Sequence, residues 1–436
     1  MSYRDLVRAA TCVLALVVML HQPVQAQLRA GAAKVDITPD VKASHIPLGG
    51  YAARRAAPAT GVHDPVYARA LVLDDGAHKA ALVSVDLCFA PANLKADVQE
   101  KLKAAGVTGF EGAGLFLVAT HTHSGPDPLA MHAQNHFVAP GWSAYDPNLR
   151  EFTTRRIADA VVAADRALAP ARIGSLQEAD HDALNRNRRH DPAVDSTFTV
   201  VRVVGEDGKP IGEIVDFASH PTLYGDDMRE VSADWPGVTE ATIDDRLHGG
   251  VCLFFNGALG DASPNGVDDV KGDEKVKVYG DRVAKAALDR LDRVTPLPAV
   301  TVATWSQDVP LPPRKPNGFF FLAAGQLGLD MRAARGLVND LMPTSTHLSF
   351  VKIGDALLMG FPCEPSGALG MEAEATARAA GVKVPVVVGL TNEWLAYALT
   401  PTQYRAGKYE AMMSFYGDQF GPALMAGLKQ GLAKVP

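Results

Sequence analysis

Cysteine is scarce in this chain, with four residues among 436. Cys12 falls in the N-terminal segment. Cys88, Cys252 and Cys363 lie far apart, each in or beside an apolar run. Neither a Cys-rich zinc spacing nor a disulfide framework is present. At most one bridge can form among the three, and they are expected as buried core thiols. Excess positive charge is missing too. The 42 Lys and Arg against 49 Asp and Glu leave a formal net charge of −7 and a pI near 6.0. That balance argues against a nucleic-acid binder driven by phosphate contacts, so no nucleic-acid partner is expected. With 47% hydrophobic and 21% charged residues, the chain is not of the disordered class. Glycine and proline are scattered, without period or low-complexity blocks.

Long apolar runs are lacking with one exception. The stretch from Ala9 to Leu20 is shorter than the ~20 residues that span a bilayer. Arg4 and Arg8 precede it and Val24, Gln25 and Ala26 follow it. Residues 1–26 are therefore expected as a secretory signal peptide, with a membrane anchor as the competing reading. The mature chain would start near Gln27 and be periplasmic or secreted.

From there apolar, β-rich runs alternate with amphipathic stretches, with no repeat and no linker. Strands are expected at 33–37, 68–73, 80–87, 115–119, 171–176, 197–204, 213–218, 251–255, 300–305, 348–353, 356–360 and 384–389. Helices are expected at 92–105, 148–168, 235–247, 274–291, 325–341, 367–380 and 422–433. Long loops are expected at 124–145 and 265–273. This pattern predicts an α/β fold. Residues 27–436 would form one large catalytic domain, with central mixed β-sheets flanked by helices and a site at the strand ends.

Polar residues cluster where apolar strands end. The run 115–119 leads into His121 and His123 before Gly125 and Pro126 break it. Residues i and i+2 of a strand share a face. The pair fits a metal half-site, and it equally fits two hydrogen-bonding histidines. Gly125 and Pro126 exclude a metallo-β-lactamase HxHxDH motif. A second strand ends on His220 and Pro221, either as a ligand or as a satisfied structural histidine. The run 251–255 feeds Asn256, Gly260, Asp261, Ser263 and Asn265. Such a turn can present backbone N–H groups to an oxyanion or can be held by its own side chains. There is no GxSxG elbow, which disfavours a serine esterase. Glu364 follows an apolar strand directly, where a carboxylate must be paired, metal-bound or solvated. Tyr397, Tyr404 and Tyr409 gather after 384–389 and read by themselves as ordinary packing.

Several segments in this order resemble one family. They are 31–39, 47–51, the Thr120–Pro126 THTHSGP, Asn185 with Arg186, 232–237, 256–265 and Tyr397 through Tyr409 and Glu410. The sequence resembles the zinc-containing N-terminal catalytic domain of the neutral/alkaline, non-lysosomal ceramidases, from Gly31 to near Tyr416. The resemblance implies one Zn²⁺ held by His121, His220, Glu364 and Tyr397. It implies that His123 contacts substrate or transfers a proton, that Arg186 orients substrate, and that Tyr409 supports an oxyanion. It implies that Ser263 is important for activity, expected here to orient substrate or the turn. The implied activity is hydrolysis of the N-acyl bond of ceramide or a related N-acyl lipid. The alternatives are another acyl amide or ester, and a catalytically silent ligand-binding member of the same fold.

Three departures from the family pattern stand out. The chain ends soon after Tyr409, so the C-terminal immunoglobulin-like domain of larger members is not expected. Cys363, Pro365 and Ser366 flank Glu364 where the family has G-E-F-T-T, and Thr402-Gln403-Tyr404 replaces E-E-Y. The run 318–324, with three consecutive phenylalanines, is expected as a buried element. Lining an acyl channel or making peripheral contact with a membrane is the other reading.

Overall fold

A computed structural model describes residues 27–136, 141–191, 194–298 and 300–436. The expected signal peptide at 1–26 lies outside the described residues, as do 137–140 of the expected loop 124–145.

Two large sheets face each other. In the eight-stranded sheet the spatial order is Val251–Phe255, Pro210–Phe217, Thr197–Gly205, Ala169–Ala179, Arg29–Asp36, Tyr67–Asp74, Lys79–Val85 and Leu115–Ala119. Its first and last pairs are parallel and the rest antiparallel. The four-stranded sheet runs Val302–Pro310, Ser345–Ile353, Ala356–Gly360 and Val384–Val388, the last pair parallel.

Period-2 alternation explains the layering. Leu71, Leu73, Leu82, Phe116 and Val118 point at Val351, Ile353, Leu358, Val386 and Val388 of the other sheet. The alternate residues Ala70, Val72, Val83 and Leu117 face outward onto Val98, Leu102, Ile157 and Val161. Those four lie on the helices Leu94–Ala104 and Pro147–Arg166. Phe198, Val200, Phe217 and Phe254 pack against the helices Asp234–Leu247 and Gly272–Leu291. Phe350 and Met359 cover the helices Gly367–Ala379 and Phe420–Leu432. Helices therefore cover both outer faces of the paired sheets. Among the described residues no helix is long and apolar enough to cross a membrane. Cys88, Cys252 and Cys363 are free and buried.

Two expectations differ from the structure. The helix expected over 325–341 is two helices, Gly318–Gln326 and Met331–Leu341. Gly328 breaks the chain with φ +91°, and the Asp330 side chain restarts it by accepting from Ala333 N–H, as an N-cap does. The triple-Phe segment is not simply buried. Phe320 is inside, but Phe319 and Leu322 are 69% and 62% exposed.

Candidate active site

Four strands deliver the site, two from each sheet, and all do so past their C-terminal ends. Leu115–Ala119 leads to His121 and Pro210–Phe217 to His220. Beyond Ala356–Gly360 comes Glu364, and beyond Val384–Val388 comes Tyr397. The last two side chains sit on a two-residue parallel bridge that makes Glu364 and Tyr397 direct partners. The histidines meet by a different route from the one their spacing suggested. The strand stops at Ala119, and His121 has the left-handed φ of +74°. This bend, not alternation, brings the His121 and His123 rings to 4.8 Å.

The donors converge closely. Glu364 Oε2 lies 3.4 Å from His121 Nε2 and 3.2 Å from His220 Nε2, and Tyr397 Oη is 3.3 Å from His220 Nε2. All four residues are buried. Tetrahedral Zn²⁺ with bonds of about 2.0–2.1 Å spaces its ligands about 3.3 Å apart.

The surrounding hydrogen bonds show which atoms are left for an ion. His121 Nδ1 bonds the Cys88 carbonyl, and His220 Nδ1 bonds the Ala262 carbonyl at 3.0 Å. A carbonyl only accepts, so each Nδ1 carries a hydrogen and each Nε2 is the ring atom turned inward. Glu364 Oε1 accepts from Trp394 Nε1 at 2.9 Å, while the buried Oε2 has no hydrogen-bond partner. Groups of this kind facing one another are held together by positive charge, either a metal ion or a proton on His121, where burial opposes the charge but Cys88 and Glu364 push the imidazole well up. The residues present thus fit a divalent metal. His121, His220 and Glu364 form a metal-compatible group on distance alone, and Cys88, His121 and His123 form a second. Burial opposes ionisation of Glu364, yet the adjacent imidazoles hold its carboxyl well below the usual range. Burial and the Glu364 charge push the Tyr397 phenol up. A bound cation acts on both groups in favour of the anion.

Around this centre lies a cavity of about 470 Å³, within the range of small-molecule sites. His121, His123, Glu364 and Tyr397 form its polar end. Phe89, Trp394, Phe320, Val338, Met413 and Phe415 are among its apolar walls. His123 Nε2 is 3.3 Å from His121 Nε2, and its ring packs edge-on against Tyr51. Gly50 is required beside it, because a Cβ there would meet the His123 ring at 2.4 Å, and its φ is +90°. Arg54 donates to the His123 carbonyl and, at 2.7 Å, to that of Gly49, fixing the turn that carries His123. The half-exposed Tyr409 stands at the rim with its ring 5.8 Å from that of Tyr397.

Arg186 and Ser263 lie outside the residues that line the cavity. They are partners in a short antiparallel pair of strands, so their side chains share a face. Asn185 and Asn187 point the other way, to the Ala218 carbonyl and to Asp261. Arg186 pairs with exposed Asp268 at 2.6 Å, and neither Arg186 nor Ser263 lines the cavity.

The cation at the centre is Arg188, two residues on. It donates to Tyr397 Oη at 3.1 Å, to the Gly260 carbonyl at 2.7 Å and to Glu410 Oε1 at 2.8 Å. Its guanidinium also faces the Tyr397 and Tyr409 rings at 5.6 and 5.7 Å. The run of three arginines at 186, 188 and 189 contained the signal without saying which one turns inward. From the sequence Asn256 reads only as a turn residue. Its Nδ2 donates to the Thr120 and Ser219 carbonyls, and its Oδ1 accepts from Ser219 N–H. It thus holds the residue before His121 and the residue before His220. Cys88, expected as core, also lines the cavity, with Sγ 3.7 Å from His121 Nδ1.

Known proteins share this framework. The chain is 25% identical to the neutral ceramidase of Pseudomonas aeruginosa over 93% of its own length and 72% of that protein. It is 22% identical to the neutral ceramidase of Drosophila melanogaster over 90% of its length and 72% of that protein. A crystal structure of the Pseudomonas aeruginosa neutral ceramidase superposes with a TM-score of 0.80 at 21% identity, covering 94% of this chain and 75% of that one. The sequence profile for the N-terminal part of the neutral/alkaline non-lysosomal ceramidases matches residues 28–278, more than half the chain. That span carries both histidines of the cluster, and the superposition extends the likeness across the sheet that carries Glu364 and Tyr397. The chain belongs to the neutral/alkaline non-lysosomal ceramidase family.

Proposed function

We propose that this chain is a zinc-dependent amidohydrolase that cleaves the N-acyl bond of ceramide or a related N-acyl lipid, releasing fatty acid and sphingoid base. The observation that carries the reading is the convergence of His121, His220, Glu364 and Tyr397 around an unpartnered carboxylate oxygen at the polar end of an apolar cavity. A zinc ion held by these four residues supplies Lewis acidity to an amide carbonyl and lowers the pKa of water.

The remaining work falls to side chains. The apolar walls take up hydrocarbon and exclude water from the polar end. His123 Nε2 is the nitrogen beside the centre that is free to move a proton once His121 is engaged elsewhere. It serves as the group that passes a proton to the departing amine. The Tyr409 hydroxyl at the rim donates to the oxyanion that forms at the scissile carbon. Arg188 is a positioning residue that fixes the Tyr397 hydroxyl. The same reading places the mature chain outside the cytoplasm after loss of residues 1–26.

The test is fatty-acid release from a short-chain ceramide by the metal-loaded protein, run beside the corresponding ester and a simple acyl amide. Turnover of the ceramide above both is expected. Turnover of the ester or simple amide alone would retain the hydrolase and replace the substrate.

A further inference from the structure

Eight large hydrophobic side chains are exposed among the described residues. Three of them, Phe319, Leu322 and Met331, stand on or just after the helix Gly318–Gln326, whose inner face lines the cavity, and a fourth, Tyr409, lines the cavity itself. Phe319 and Leu322 stand three residues apart on the outer face of the helix Gly318–Gln326, so they are neighbours on its surface. Phe320 and Ala324 on the inner face line the cavity, as do Leu327 and Leu329 just after the helix. The helix carries no charged residue. It is apolar all round yet buried on only one side, an arrangement that marks an interaction surface. Met331, 60% exposed, opens the next helix.

Charge identifies the occupant. In a protein of net charge −7, residues 311–341 hold Arg314, Lys315, Arg332 and Arg335 against two carboxylates, Asp330 and Asp340, the latter near the far end of its helix. Lys315, Arg332 and Arg335 are exposed, and none of the three has an ion-pair partner among the described residues. Arg335 lies 5.5 Å over the Phe321 ring, so the cations border the apolar patch directly. A second copy docking through a two-fold axis would set this patch on itself and bring cations against cations. An anionic bilayer offers hydrocarbon to the apolar residues and phosphate to the rim.

We propose that the paired helices Gly318–Gln326 and Met331–Leu341 form a docking surface for anionic lipid bilayers, with Phe319, Leu322 and Met331 entering the interface. The docked lipid would then reach the cavity past Phe320 without crossing water. The substrate part of this inference rests on the N-acyl lipid hydrolase reading; the docking itself does not.

The test is co-sedimentation of the full metal-loaded chain with vesicles of phosphatidylcholine alone and of phosphatidylcholine with phosphatidylglycerol. Binding to the anionic vesicles is expected. Phe319→Ser with Leu322→Ser should lower the bound fraction at least tenfold, and Arg332→Glu with Arg335→Glu should abolish the preference for anionic lipid. Turnover of a water-soluble short-chain substrate should stay within twofold in both variants, which also shows that they fold. Failure of the wild type to bind, or equal binding by the Phe319/Leu322 variant, would overturn the docking surface. A wild-type dimer by light scattering that becomes monomeric in that variant would overturn it in favour of self-association. Vesicle binding without hydrolysis of any lipid would leave the docking surface standing and remove the enzymatic reading.

Discussion

Glu364 and Tyr397 are register partners in a two-residue parallel bridge that lies beyond the ends of two parallel strands. The bridge places a carboxylate and a phenol side by side, facing two histidines carried by the other sheet. Neither sheet holds the complete cluster, so the site depends on how the two sheets are packed.

Trp394 supports that cluster from outside. Its Nε1–H donates to Glu364 Oε1, and its ring stacks on Phe89 at 4.4 Å. We predict that Trp394→Phe keeps the stack and loses the hydrogen bond, so zinc affinity falls about 10–100-fold, as for other supports of metal ligands. Competition with a chromogenic chelator measures this. Unchanged affinity would mean that Glu364 is oriented by the bridge alone.

Asn256 ties both histidine loops together through three hydrogen bonds. Asn256→Ala leaves buried backbone groups unpaired and should cost about 2–4 kcal/mol of stability. Zinc affinity should fall at least tenfold as well. Urea unfolding and the same chelator competition supply the two numbers. Lost stability with intact affinity would show that each loop holds its own histidine.

Arg188 and Arg186 give opposite predictions although they are two residues apart. Arg188→Met removes the donor to Tyr397 and one of the two arginine partners of Glu410, and turnover should fall about 100-fold. Arg186→Ala breaks one exposed pair, which contributes little, and turnover should stay within twofold. Steady-state kinetics on a soluble substrate decides between them. A large loss from Arg186→Ala would restore the role first expected for it.

Glu213 lies outside the active site and gives a pH prediction. It is buried opposite Arg202 and Cys252 in the large sheet, with both carboxylate oxygens unpartnered. Burial outweighs the attraction of Arg202 and pushes its carboxyl up from 4.5 to about 8. Between those values the folded chain keeps a proton that the unfolded chain has lost, so this group makes the fold less stable as pH rises. Glu213→Gln removes that dependence. The variant should gain on the wild type by up to about 1.4 kcal/mol per pH unit between pH 5 and 8. Urea unfolding at pH 5, 6.5 and 8 measures it. A constant difference across that range would contradict a protonated Glu213.

The long elements were legible because their apolar periods are strong. Leu115–Ala119, Val251–Phe255 and Ala356–Gly360 fall where the pattern places them. The short elements that build the site carry no period. Glu364–Pro365, Tyr397–Ala398 and Asn185–Asn187 are two or three residues long, and tertiary contacts make them. The two histidines and the carboxylate stood out as polar residues at strand ends, and Tyr397 entered only through the family resemblance. Arg188 was missed because a choice among neighbouring arginines depends on where the short strand ends, which spacing does not reveal. The triple-Phe helix reads from the sequence as buried or as a lipid-contacting element, because hydrophobicity alone does not distinguish a buried face from an exposed one.

The central claim is one zinc held by residues from both sheets. The direct measurement is the metal content of the purified chain beside those of His121→Ala and Glu364→Ala, with hydrolysis of a short-chain ceramide followed on the same samples through chelation and zinc return. The account predicts about one zinc per wild-type chain, loss of metal and turnover in both variants, and recovery of wild-type activity when zinc is restored. Ceramide hydrolysis that survives complete removal of metal, or full zinc occupancy in both variants, would contradict it.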